Sequence, residues 1–491
     1  MITHDPVQFW AATQPERVAL RSARSAWTYA LLDHAVWASA DMLLARGLGA
    51  GEHVALEFDP NDAFHLAVTF HALHRVGLLP VLIDPKATAE ERHALRERSH
   101  VDLSLTADYF NPVDPKAAGA PRAAAPEIDP SIPLTRRFDA PAAICFTSGT
   151  SGAPRAAVLT HGNFHWSAIG SARNLGVRED DLWLCCLPLH HVGGLSILTR
   201  CAAYGTGVLL HERFVPEAVN EAIDREGVTL VSLVPTMLRR LLTARRGRPF
   251  PPTLRAALIG GGPIEPELLE EAAALQMRCL PTYGLTEATS QVTTLPLGDW
   301  PNGFATAGIP LAFTRVQIRD DDDRVADPGV EGEIVVRGPT VMAGYLGDPE
   351  ATAAALAGRW LRTGDIGVRD EAGRLIVLDR RSDRIVTGGE NVSPTEVERA
   401  ILSHGAIQAA CVVALPSAEW GQEVAAAVEF KPGRSVTLEE LRAHAGEHLT
   451  GFKLPRYLMV VSALPRSASG KLLRRVLRDR FLDEVAKQKH P

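Results

Sequence analysis

Short apolar runs alternate with helix-period stretches along most of this chain, and that alternation restricts the fold more than any other feature. Between Val18 and Pro112 the runs VALEF and GLLPVLID alternate with helical segments such as 29–46, which Gly47 is placed to end. Runs at 142–146, 181–187, 207–210, 230–234 and 255–259 repeat the pattern. Such alternation predicts mostly parallel sheet covered by helices on both faces. After about Trp300 the character changes: 316–319 and 333–337 flank the acidic turn 320–323 and read as antiparallel sheet. A last unit begins near Arg384. Its segments Ser393-Pro-Thr-Glu396 and Thr437-Leu-Glu-Glu440 match helix-opening capping boxes, with strands expected at 409–415, 423–430 and 457–461. The expected fold class is α/β: a large N-terminal portion of helix-covered sheets with a small antiparallel section, and a small α+β C-terminal domain. The expected division is 1–380 and 381–491. The Pro- and Ala-rich segment 112–134 reads as a surface linker.

A length of 491 residues agrees with more than one core. With 46% hydrophobic and 22% charged residues the chain is not a disordered one. A net charge of −7 gives no reason to expect a nucleic-acid partner, and acids interrupt the basic run 471–489 as on a solvated helix face. The opening MITHDPVQFWAATQPER carries no basic segment followed by an apolar one, so no secretory signal is expected. No apolar stretch nears the ~20 residues that cross a bilayer; the candidate at 66–83 is broken by His71, His74 and Arg75. None of the six cysteines stands in C-x-x-C spacing, which suits buried thiols in a reducing compartment. A cytoplasmic protein without membrane insertion is expected.

The stretch FTSGTSGAPRAAVLTHGN crowds Thr147, Ser148, Gly149, Thr150, Ser151 and Gly152 behind an apolar run. Such a loop brings backbone N–H groups and hydroxyls onto phosphate oxygens, although its composition also suits a plain strand-to-helix turn. It is not a Walker A loop, because no G-x-x-x-x-G-K-[ST] occurs in the chain. Five further segments follow in order: LPLHHVGGL at 187–195; IGGGP at 259–263; YGLTE at 283–287; Thr363-Gly-Asp365 with DRRSD at 379–383 and Gly388-Gly389-Glu390; and LPRSASGK at 464–471.

Together these six segments resemble the core motifs of the adenylate-forming superfamily of acyl-CoA synthetases, luciferases and adenylation domains. Within it, PLHHVGGLSILTR and YGLTEATSQVTT are most similar to the 2-succinylbenzoate–CoA ligases of menaquinone biosynthesis. The resemblance implies an ATP-dependent acid–CoA ligase working through an acyl-adenylate, with ATP and CoA as substrates and Mg²⁺ as cofactor. Ligation of another aryl or acyl acid, or loading of a carrier protein, stays open as an alternative. Joining a carboxylate to ATP sets an anion against a polyanion. Two unit charges about 4 Å apart interact by about 4 kcal/mol at an effective dielectric of about 20, so positioned cations matter.

The resemblance assigns Glu287 to Mg²⁺, Thr286 to the α-phosphate and Lys471 to the adenylation step. It assigns Gly260, Gly261, Gly262 and Tyr283 to adenine, Asp365 and Arg380 to ribose, and the 147–152 loop to the outer phosphates. Where the family usually has Lys-Gly after that loop, this chain has Arg155-Ala156; arginine keeps the charge and binds phosphate, while alanine forbids a glycine-only conformation. His191, Ser290 and Gln291 are assigned to the acid pocket, His190 replaces an expected aromatic residue, and Arg200 is a second option for an unactivated carboxylate. Ser382 falls at the hinge of a mobile C-terminal domain, and Gly388 and Gly389 at the thiol tunnel.

Overall fold

The computed structural model describes residues 2–22, 25–107, 135–147, 154–380, 383–417, 419–466 and 472–489. Two compact units divide the chain: residues 1–317, 335–362 and 373–375 form one, and residues 318–334, 363–372 and 376–491 the other. The linker expected at 112–134 lies outside the described residues.

In the first unit, alternation builds two helix-covered sheets. Among the described residues the larger has nine strands, in the order Ile309–Pro310, Ser290–Thr294, Cys279–Leu285, Ala256–Ile259, Leu230–Leu233, Leu182–Cys185, Gly207–Leu210, Val18–Arg21 and Ala26–Thr28. From Cys279–Leu285 across to Val18–Arg21 the pairing is parallel, with antiparallel strands at the ends. The central strands are buried along their whole length, as the continuous apolar runs require when helices cover both faces. Leu184, Val231, Ala257 and Cys279 pack with Val219, Ile223, Leu238 and Leu269 of the covering helices in one core.

The second sheet is ordered Gly344–Tyr345, Arg155–Thr160, Pro141–Thr147, Leu79–Leu82, His53–Leu56 and Val101–Leu105. Its last four strands run parallel, and Arg155–Thr160 is antiparallel to both neighbours. The helix Tyr29–Leu44 opens where Thr28 Oγ1 accepts the Leu31 N–H, and Gly47 stands beyond its end at φ +77°.

A further sheet is ordered Arg315–Arg319, Gly332–Arg337, Leu361–Arg369 and Leu375–Arg380. Its acidic turn is closed by Asp320, whose Oδ1 accepts the N–H groups of Asp322 and Arg324.

The second unit contains a sheet ordered Glu390–Val392, Ile385–Thr387, Gly421–Phe430 and Ile407–Ser417, with Tyr457–Val460 parallel to Gly421–Phe430. Period-two alternation sends Val412, Val424, Ala426 and Val428 into a core with the helix Pro394–Leu402. Cys411, Val413, Leu415, Ala425 and Ala427 enter a second core with Leu477 and Phe481. Thr437 and Glu440 form the full reciprocal capping box. The box expected at Ser393 forms only by half: Ser393 Oγ accepts the Glu396 N–H, but the Glu396 carboxylate turns to Lys453 Nζ, 2.8 Å from each oxygen. An ion pair with a long-range partner outcompetes the local backbone N–H.

Candidate active site

In the first unit the hydroxyl- and glycine-rich loop joins two strands of an antiparallel pair, whose end pairing is Thr147 with Arg155. It is therefore not a strand-to-helix turn; the helix begins at His161, behind reciprocal caps from Thr160 and Asn163. Ser148, Gly149, Thr150, Ser151 and Gly152 lie outside the described residues. Ala156 sits in regular strand, 3% exposed and paired with Phe146, so this position makes no demand for glycine.

Glu287 stands in the turn Thr286–Ala288 that follows the strand Cys279–Leu285. Its Oε1 accepts the hydroxyl of Tyr345 at 3.0 Å, and its carbonyl accepts the Met342 N–H at 2.8 Å. Arg155 Cζ lies 5.4 Å from the centroid of the Tyr345 ring. Burial and the neighbouring Glu287 charge hold the Tyr345 hydroxyl well above its ordinary pKa, so it donates throughout the physiological range. Tyr345 was not legible as a site residue: it is separated from Glu287 by 58 positions, and only the strand pairing of Tyr345 with Ala157 brings it in.

The backbone after Glu287 is strained. Thr289 and Ser290 hold φ of +54° and +80°, a region that side-chain-bearing residues adopt at a cost of about 1–3 kcal/mol. Three bonds hold it there: Thr289 N–H to the Thr286 carbonyl, Thr289 Oγ1 to the Thr340 carbonyl at 2.7 Å, and Ser167 Oγ to the Thr289 carbonyl at 2.9 Å. Gly284 is obligatory opposite this turn, because a Cβ there would lie 1.5 Å from the Ser290 carbonyl oxygen.

Gly260, Gly261 and Gly262 follow the strand Ala256–Ile259. A Cβ on Gly260 would fall 2.7 Å from Thr282 Cγ2 on the adjacent strand, and Gly261 takes φ +82°. Tyr283 pairs with Thr293, and the register slips before Gly284, which pairs with Gln291.

Of the residues expected at the acid pocket, Gln291 is buried, with Nε2 donating to Thr294 Oγ1 at 3.0 Å and Oε1 meeting no hydrogen-bond partner among the described residues. His191 is the N-cap residue of the helix Val192–Tyr204. Behind it the loop is tight, since a Cβ on Gly194 would lie 2.4 Å from the Pro188 carbonyl oxygen. The His190 ring lies 4.4 Å from that of His191, tilted by 55°, and places Nε2 3.6 Å from Asp84 Oδ1. Burial pushes the His190 pKa down against the pull of Asp84. Arg200, 2% exposed, donates from Nη2 to Ser167 Oγ at 3.0 Å, while its Nε meets no partner among the described residues. No carboxylate among them pairs with this guanidinium, and burial lowers its pKa.

In the second unit, Asp365 is buried and lies 3.0 Å from Arg380 Nε. The Asp365 and Gly364 N–H groups go to Thr363 Oγ1 and Glu333 Oε1, which fixes the turn that carries the carboxylate. Gly388 and Gly389, at φ +59° and +85°, form the two-residue turn between Thr387 and Glu390, a geometry that demands positive φ at both positions. Ser382 and Lys471 lie outside the described residues. Their neighbours meet: Arg474 bridges Asp383 at 3.3 Å and makes a bidentate pair with Glu398.

Among the described residues no group of three or more His, Cys, Asp or Glu side chains is placed to hold a metal. A half-buried Glu287 with one oxygen engaged by a neutral donor suits Mg²⁺, which takes one or two carboxylates and completes its shell with substrate phosphates. Among the same residues no helix is long and apolar enough to cross a membrane.

Comparison with known proteins agrees with this geometry. The AMP-binding enzyme profile matches residues 7–346, and the profile of the AMP-binding enzyme C-terminal domain matches residues 396–471. The chain is 38% identical over 468 residues to a 2-succinylbenzoate–CoA ligase of Geobacillus sp. (strain WCH70), covering 94% of each. It is similar to the o-succinylbenzoate CoA synthetase of Bacillus subtilis in complex with its acyl-adenylate intermediate, with a TM-score of 0.89 and 35% identity over 98% of this chain and 99% of that one. The same Bacillus subtilis enzyme with ATP and magnesium gives a TM-score of 0.88 at 35% identity, covering 98% of this chain and 100% of that one.

Proposed function

Since this chain belongs to the AMP-binding enzyme family, we propose that it is an ATP-dependent acid–CoA ligase acting on 2-succinylbenzoate in menaquinone biosynthesis. The observation that carries the reading is the Glu287–Tyr345–Arg155 arrangement at the root of the glycine loop, in a chain alike over almost its whole length to ligases of that acid. A carboxylate oxygen of the acid attacks the α-phosphorus, the bond to the bridging oxygen breaks, and pyrophosphate leaves. The CoA sulfur then attacks the acyl carbon and AMP leaves.

Bound Mg²⁺ neutralises phosphate charge and orients the nucleotide, and Glu287 is the residue that would hold it. Thr286 and Lys471 would meet the α-phosphate, the 147–152 loop and Arg155 the departing pyrophosphate, Gly260–Gly262 and Tyr283 the adenine, and Asp365 and Arg380 the ribose. Arg200, buried without a carboxylate partner among the described residues, supports an acid that carries a second, unactivated carboxylate. His191, Ser290 and Gln291 would line the same pocket. A small C-terminal domain from 381 onward would turn about Ser382 between the two steps, bringing Gly388 and Gly389 to the thiol. A cytoplasmic location is part of the proposal.

The test supplies ATP, Mg²⁺ and a panel of carboxylic acids, with and without CoA. Pyrophosphate release that requires 2-succinylbenzoate, and AMP release that also requires CoA, are expected. Reaction with benzoates or fatty acids alone would remove the substrate assignment. Lys471→Ala is expected to lose adenylation far more than thioester formation from supplied adenylate.

A further inference from the structure

We propose that Tyr345 is a positioning residue that ties the cation after the phosphate loop to the carboxylate that takes Mg²⁺, so that neither is placed independently; this rests on the function proposed above. Tyr345 belongs to the two-residue strand Gly344–Tyr345, paired with the strand that Arg155 opens. Its backbone is held on both sides. The Tyr345 N–H donates to Thr352 Oγ1 at 2.9 Å, and the Leu346 N–H to the Ala156 carbonyl at 2.8 Å. With the main chain fixed, the phenol presents its face to the Arg155 guanidinium and its hydroxyl to Glu287 Oε1.

That arrangement does two things at once. The hydroxyl fixes the Glu287 rotamer and occupies one oxygen, leaving the other to a metal that tolerates little departure from octahedral geometry. The ring holds the guanidinium in a cation–π contact, 5.4 Å from Cζ to the centroid, while leaving its planar N–H fork free to bind phosphate, a combination that a lysine ammonium does not reproduce. The phenol thereby gives a physical reason for arginine at 155, where the resemblance leads one to expect lysine. Moving either charged group disturbs the ring, and the ring disturbs the other.

The experiment measures binding of an ATP analogue with a methylene bridge between the α- and β-phosphorus, by calorimetry, in excess Mg²⁺ and again in EDTA. The ratio of the two affinities is the gain that Mg²⁺ confers. Tyr345→Phe keeps the ring beneath Arg155 and removes only the hydroxyl. Its affinity in EDTA is expected within about twofold of wild type, while the Mg²⁺ gain falls about tenfold. Arg155→Ala, at an exposed strand start where loss of the fold is not expected, should lower the affinity in EDTA and the Mg²⁺ gain together. An undiminished gain in either variant overturns the inference. Wild-type protein that releases no acid-dependent pyrophosphate overturns the parent function and the inference with it. Wild type that releases it, beside a Tyr345→Phe variant with full gain, overturns the coupling alone.

Discussion

Nη2 of Arg200 donates to Oγ of Ser167 at 3.0 Å, and Ser167 in turn donates to the carbonyl of Thr289 at 2.9 Å, next to the strained Ser290. A buried cation is thus connected through one hydroxyl to the turn that also carries Glu287.

Because no carboxylate among the described residues neutralises Arg200, removing its charge relieves a desolvation cost in the free protein and, on the function proposed above, withdraws a partner from the acid. Arg200→Met is expected to keep or gain stability in urea while KM for 2-succinylbenzoate rises about 10- to 100-fold, the worth of a charged hydrogen bond. Turnover of benzoate, which lacks the second carboxylate, should not fall. Lower stability with unchanged KM would make Arg200 a packing residue.

Asp365 is buried while the side chain of its partner Arg380 is 38% exposed, so the pair has one face open to solvent, as the proposed ribose contact needs. Asp365→Asn preserves the shape and removes the charge. Affinity for ATP should drop about 10- to 100-fold in pyrophosphate exchange, with KM for the acid little changed.

Gly388 at φ +59° would place a Cβ 3.0 Å from Trp420 Cε3. Gly388→Ala should cost about 1–2 kcal/mol in the turn. If the turn serves the thiol, CoA-dependent AMP release slows while acid-dependent pyrophosphate exchange is retained; equal loss of both would detach the turn from the second step.

His71 and His74 are buried and His161 is half-buried, all near Arg136, and His74 Nε2 donates to the Ala142 carbonyl at 2.6 Å. Burial holds His74 well below its ordinary pKa and pushes His71 down to about 4 and His161 to about 3. The unfolded chain takes up these protons below pH ~6.5 and the folded one does not, so the stabilisation is complete above that pH and is lost as pH falls toward the folded values. Each histidine contributes a slope of at most about 1.4 kcal/mol per pH unit. Urea unfolding compared at about pH 7 and about pH 5 should show stability falling with acid, and His161→Gln should flatten the fall.

Much of this was readable in one dimension. The capping pair Thr437 and Glu440 and the strands 207–210 and 230–233 stand within a residue of where the sequence puts them; Gly388-Gly389 is read there only as a motif, and its turn is an equally local feature. A turn needing two positive φ values, or a helix needing an oxygen at its first N–H groups, draws on residues a few positions apart. Val18–Arg21 pairs on one side with the next strand, Ala26–Thr28, as a local hairpin can, but on the other it joins Gly207–Leu210, because a parallel partner is chosen by packing across the sheet. Glu396 matched a box and found Lys453 instead.

The sequence by itself determined the class of chemistry, because the motif residues are held in short segments whose order and spacing suffice to name them. It also determined the helix-covered sheets, since continuous apolar runs must be buried on both faces. The tertiary structure alone decided what those groups answer to: Tyr345 on Glu287, Arg155 on Tyr345, Arg200 on Ser167. Each pair is separated by tens to hundreds of residues, and the energy that selects it comes from burial and strand pairing, which no local pattern records.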